Sequence, residues 1–175
     1  MKSILTLMSF ALLSLGSFTQ AHACPCADEE TLTINQRYHE ANLLVDQAVV
    51  ARLQNPGLIT LVKASITLHQ SKIAELSAMS INAGIPYKAS DISQGFTDRA
   101  NQDLSVLKNT SGSALDDAYI NFRASELQRL LTAFDTYFIT AVTTPTMKAW
   151  VPGERALVSQ NYNQAIQEQA QLMPQ

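Results

Sequence analysis

The stretch from Ser113 to Val142 contains neither proline nor glycine, and it carries two rows of apolar side chains at helical spacing. Leu115, Tyr119, Phe122, Leu130, Ala133 and Tyr137 form the first row, with Glu126 inside it. Leu127, Leu131, Phe134 and Phe138 form the second. Steps of three and four residues return to one face of an α-helix, so the segment predicts a single long helix with a broad buried side. Such a side needs other elements to cover it. No stretch elsewhere alternates apolar and polar residues with a period of two, so those elements are helices too.

The remaining segments fit that frame. Ile34, Tyr38, Ala41, Val45 and Ala48 mark one face of a first helix starting near Thr33. Asn55-Pro56 then reads as a helix start, with asparagine as cap and proline in the first turn. The second helix carries Leu58, Val62, Ile66, His69, Ile73 and Leu76 on one stripe and stops at Gly84, ahead of Pro86. Residues 85–96 read as a loop, followed by a short helix from about Thr97 to Lys108 and a turn over Asn109–Ser113. After the long helix, Thr144-Pro145 starts a last helical region reaching about Met173. Its buried side is Val158, Tyr162, Ala165 and Leu172, and a kink or break is expected at Pro152-Gly153. Four main helices joined by short links predict an all-α, antiparallel four-helix bundle with an extra short helix in the middle connection. A faint internal echo accompanies this plan. Tyr38 precedes Asn55-Pro56 and a long helix, and Tyr119 precedes Thr144-Pro145 and another.

The N-terminus gives the address. Lys2, an apolar run from Ile4 to Leu15, and Ala21-His22-Ala23 form the three parts of a secretory signal peptide over residues 1–23. The run is shorter than the ~20 residues that span a bilayer, so the processed chain is expected to have no transmembrane helix and to be periplasmic or secreted. Residues 24–32 read as a flexible, acidic lead. Cys24, at the cut, offers an alternative: lipidation there would make an outer-membrane lipoprotein. Against it, the lipoprotein leucine is missing and the polar residues 16–20 separate the apolar core from the cut. Cys24 and Cys26 are the only cysteines, too close together to staple a fold.

Charge excludes some partners. The full chain has 12 basic and 15 acidic residues. Removing residues 1–23 takes away Lys2 alone among charged groups and lowers the net charge from −3 to −4. That mild acidity argues against nucleic acid and against anionic lipid, both of which need a basic face. The partner is left as an unknown envelope component or a small ligand.

Some of these residues resemble a known family. Gly112-Ser113-Ala114-Leu115-Asp116-Asp117-Ala118-Tyr119 is similar to a helix start in the domain of unknown function 4142 family, which groups exported bacterial proteins with a ferritin-like helical bundle. Asn55-Pro56 with His69 thirteen positions on, Ala83-Gly84-Ile85-Pro86, and Thr144-Pro145 resemble further features of that family, in the same order. The likeness spans roughly residues 35–170. It implies a fold and export, not a reaction. The family's other histidine positions fall here on Glu126 and Asn161, so only His69 keeps the family residue.

Chemistry is sparse. A di-iron bundle needs Glu-x-x-His on two helices, but Gln36 and Ile66 stand three residues before His39 and His69. The two histidines outside residues 1–23 and the scattered glycines give neither a nucleophile triad nor a phosphate loop. No catalytic residue, cofactor or metal is assigned. His69, Glu126 and Asn161 lie on predicted inward stripes of three helices and form the candidate binding site. They read first as a hydrogen-bonded polar cluster and alternatively as a site for a metal or small ligand. His69 is expected within hydrogen-bonding reach of Glu126 or Asn161. His39, beside Glu40, is expected in solvent, and the aromatic cluster around Tyr119 and Phe134 reads as core. The chain is therefore expected to be a non-enzymatic binding or structural protein of the cell envelope, or alternatively a metal- or ligand-handling bundle using the His69 region.

Overall fold

A computed structural model describes residues 27–172. The expected signal peptide and cut after Ala23, together with Cys24 and Cys26, lie outside the described residues. The described residues form five long helices and no strand. They are α1 (Ala27–Val49), α2 (Pro56–Ala83), α3 (Asp91–Lys108), α4 (Ser113–Ala133) and α5 (Pro145–Leu172). A π-helical turn, Phe134–Phe138, and a last α-turn, Ile139–Ala141, extend α4. In that π-turn the Ile139 N–H reaches the Phe134 carbonyl, five residues back. α1 packs against both α2 and α3, and α4 packs against α5.

The punctuation residues act as their chemistry requires. The Asn55 side chain accepts from the Leu58 N–H at 3.1 Å, and Pro56 sits in the first turn, where its missing N–H costs nothing. Gly84 ends α2 at φ 65°, the left-handed conformation that glycine tolerates best. The two rows of α4 point inward as expected: Leu115, Tyr119, Leu130, Phe134 and Phe138 are fully buried.

Four local expectations need correction. The segment read as a flexible lead is, from Ala27 on, the first turns of α1, with Thr31 and Leu32 fully buried. Its acidic Asp28 is tied down by the start of α5: the Thr143 and Thr144 N–H groups donate to its carboxylate at 2.7 and 2.9 Å. Of the segment read as a loop, residues 85–90 are non-helical as expected, but the helix after it starts at Asp91 rather than near Thr97 and is a core helix. Ser90 caps α3 in a reciprocal capping box with Ser93, and Phe96, Ala100, Leu104 and Leu107 bury its inner face. The α5 helix runs through Pro152 without a break. Finally, His39 is 2% exposed, not solvated.

The echo between the two halves has a physical counterpart. Asp28, in the first turn of α1, receives the N–H groups that precede Pro145. Asp116, in the first turn of α4, receives the Gln54 and Asn55 N–H groups that precede Pro56, at 3.0 and 2.8 Å. Each helix pair thus holds the turn that opens the second helix of the other pair.

Candidate functional site: a buried histidine pair

A second stripe runs along α1 beside the apolar one. Asn35, His39, Asn42 and Asp46 follow each other at steps of four, three and four, and all four are buried. On α2, Ser65, His69 and Lys72 share one face; on α4, Tyr119 and Arg123 do. Glu154 comes from α5, two residues after Pro152. Asn35 and Asn42 donate to carbonyls of their own helix; the other side chains meet between the helices as one chain of polar groups.

The centre of that chain is a contact between two rings. His39 Nδ1 lies 2.8 Å from His69 Nδ1. On the outer side of the first ring, His39 Nε2 lies 3.4 Å from Glu154 Oε1. On the outer side of the second, His69 Nε2 lies 3.8 Å from Asp46 Oδ2. Each carboxylate has a cationic partner beyond it. Lys72 Nζ is 2.7 Å from Glu154 Oε2, and Arg123 Nη1 is 3.7 Å from Asp46 Oδ2. The Tyr119 hydroxyl donates to Asp46 Oδ1 at 2.7 Å, and Arg123 Nη1 donates to Ser65 Oγ at 2.6 Å. Tyr38 packs edge-on against both imidazoles.

Electrostatics sort the protons. Burial drives His69 well below the ordinary 6.5, and charge repulsion from the His39 ring and the Arg123 guanidinium pushes the same way. Burial raises Asp46 above the ordinary 3.8, against the pull of Arg123, Ser65 and Tyr119. Burial would raise Glu154 as well, but hydrogen bonding from His39 and Lys72 overcomes it and holds the carboxyl below its ordinary 4.5. Lys72 is kept charged: burial opposes its proton, and Glu154 and Glu75 outweigh that.

The geometry limits how many protons the rings can hold. Across a 2.8 Å contact, one Nδ1 must donate and the other accept. If His39 is the imidazolium, its Nδ1–H donates to His69 and its Nε2–H faces Glu154. Neutral His69 then turns its own Nε2–H to Asp46. That single-proton state is the only one in which both outer nitrogens present hydrogen to a carboxylate while the Nδ1 contact is kept. With no extra proton, one Nε2 lone pair faces a carboxylate oxygen. With two, both Nδ1 atoms carry hydrogen and the contact must break.

Of the residues singled out in the sequence, His69 and Glu126 are buried as expected, at 2% and 1% exposure. They are not brought together. The hydrogen-bond partner of His69 is His39, whereas Glu126 accepts from its own-helix neighbour Arg129 at 2.9 Å. Burial raises the Glu126 carboxyl and Arg129 opposes the shift. Asn161 is partly exposed and lines a cleft beside Arg123. The expected His69–Glu126–Asn161 cluster is therefore replaced by one built on α1. Its missed members, His39 and Asp46, were signalled by the polar stripe at helical steps, which the neighbouring apolar stripe obscured.

Two other properties bound the chemistry. Among the described residues no three His, Cys, Asp or Glu side chains converge so as to hold a metal ion. The two carboxylates lie on opposite sides of the histidine pair. No described helix is long and apolar enough to cross a membrane. Comparison of the chain with protein-family models, with curated proteins and with solved structures finds no match.

Proposed function

We propose that the protein is an exported helical bundle of the cell envelope, with a binding or structural rather than catalytic role, whose fold responds to acid through His39 and His69. The observation that carries this reading is the 2.8 Å contact between the two Nδ1 atoms, closed on each outer side by a carboxylate. Rings 2% exposed are out of reach of a substrate, which argues against catalysis. They are well placed to couple protonation to packing, since a second proton cannot be taken up without breaking the side-chain contact that links α1 to α2. A purely structural core would gain nothing from the arrangement. Apolar replacement of buried ion pairs is often neutral or stabilising.

The leader over residues 1–23 supports an address outside the cytoplasm, periplasmic or secreted, where external acid arrives directly. An antiparallel, ferritin-like arrangement of α1, α2, α4 and α5, with α3 as the insertion, belongs to the same proposal, as does membership of the domain of unknown function 4142 family. The Asn55-Pro56, His69, Gly112–Tyr119 and Thr144-Pro145 features support both. Mass spectrometry of the mature N-terminus separates free Cys24 from the lipidated alternative.

The test is urea unfolding across pH, for the wild type and for a His39→Gln/His69→Gln variant. His69 in the folded state binds its proton less readily than the unfolded chain does, so its contribution to stability is complete above pH 6.5 and is lost as pH falls below it. The expected slope approaches ~1.4 kcal/mol per pH unit for one proton, and the double variant should lose most of it. Equal slopes in the two proteins below pH 6.5 would overturn the reading.

A further inference from the structure

Beside the polar chain, the backbones of α2 and α5 stand apart, and a cleft of about 210 Å³ opens between them. Leu61, Ala64 and Leu68 of α2 give it an apolar wall. Asn161 and Gln164 of α5 stand opposite, each with amide N–H donors. Ser65 and Arg123 complete the lining. Arg123 is 4% exposed, and its Nε has no hydrogen-bond partner. A guanidinium is a planar fork of five donors that matches a carboxylate two-pronged. A buried, incompletely used guanidinium beside two amides and an apolar wall has the composition of a site for a small amphiphilic anion.

We propose that this cleft binds a small organic monocarboxylate, its charged end on Arg123 with Asn161 and Gln164, its apolar body against Leu61, Ala64 and Leu68. The cleft suits a short-chain or single-ring acid.

Charge balance adds a consequence that rests on the acid-responsive reading. Arg123 already faces Asp46, and Lys72 already faces Glu154. With no extra proton on the histidine pair, Arg123 and Lys72 balance Asp46 and Glu154, and Arg129 balances Glu126, so a bound anion would leave one excess negative charge among the groups of the four contributing helices: His39, Asp46 and Tyr38 on α1, His69 and Lys72 on α2, Tyr119, Arg123, Glu126 and Arg129 on α4, and Glu154 on α5. The His39–His69 pair, adjacent to Asp46, is the place for a compensating proton. Binding therefore takes up a proton, and affinity rises as pH falls.

Calorimetric titration of the processed full chain with benzoate, in carboxylate-free buffer at about pH 5.5 and 7.5, tests both parts. Saturable 1:1 binding of benzoate but not of neutral benzamide is expected, tighter at the lower pH by up to about tenfold per unit. Arg123→Met should weaken it at least about tenfold, the loss of a charged bidentate contact. Because Arg123 is a core residue, Ala64→Trp serves as a second variant: it fills the cleft from its exposed rim and should abolish binding with the fold intact. No saturable binding at either pH, equal binding of benzamide, or wild-type affinity in Ala64→Trp would overturn the site. Benzoate binding of equal strength at both pH values would overturn the proton coupling alone. The urea–pH profile is measured without benzoate, so failure of the cleft and failure of the acid response are distinguishable.

Discussion

The pair α1–α2 and the pair α4–α5 share a plan and divide the chemistry. Each opens with an aspartate in its first turn, Asp28 or Asp116, that receives two backbone N–H groups from the other pair's proline turn. Each buries a tyrosine of its first helix, Tyr38 or Tyr119. Yet both histidines lie in the first pair. The second supplies Arg123 and Glu154, which flank them from across the interface. The shared caps concern how the halves assemble. The unshared groups concern what the interface between them does.

The largest expected effect comes from breaking the unshared part. Asp46→Ala removes the carboxylate that faces Arg123 and His69 and that accepts from Tyr119. An uncompensated buried guanidinium remains, and the expected loss in urea unfolding is ~3–5 kcal/mol. A loss below the cap variants' would show that Asp46 is not what holds the Arg123 charge.

The shared part sharpens the comparison through equality. Asp28→Ala and Asp116→Ala each leave two backbone N–H groups without their acceptor. Each should cost about 1–2 kcal/mol, the range for losing a capping side chain. Markedly unequal costs would undo the correspondence between the halves. The Asp28 cap has its own pH signature. Burial raises its carboxyl, the Thr143 and Thr144 hydrogen bonds outweigh this, and the net shift is below 3.8. Its contribution is therefore present above that pH and lost as pH falls through the lowered value.

The smallest effect belongs at the surface. Arg155 and Asp135 form an exposed ion pair outside the buried chain. Asp135→Asn should leave the unfolding midpoint unchanged within error, because exposed pairs are screened and entropically costly. A clear loss there would mean that α4 and α5 depend on surface charge more than on their core.

Much of the scaffold is legible in the sequence because its signals are local. Asn55-Pro56, Gly84 and the glycine-free run of α4 each specify backbone geometry within a few residues. The start of α3 is harder to read, since Ser90 and Ser93 make a capping box without the usual glutamate or glutamine, and Gly95 mimics a loop. The site is less legible for a different reason. His69 reads as buried from its apolar stripe, but its partner depends on the rotation of α1. That helix buries two stripes, and the polar one carries His39 and Asp46. Glu126 satisfies its own charge through Arg129, three residues along the same helix, so an inward position did not imply a long-range partner. Asn161 lies at the cleft instead.

The most direct test is a titration of the imidazole resonances in ¹⁵N-histidine-labelled protein prepared without residues 1–23, where His39 and His69 are the only histidines. The expected result is a coupled pair: one ring takes the proton, the other stays neutral to well below pH 6.5, and a ¹⁵N–¹⁵N coupling across the hydrogen bond links the two Nδ1 atoms. Two independent titrations near pH 6.5, with no coupling between the rings, would contradict the buried pair and the acid response built on it.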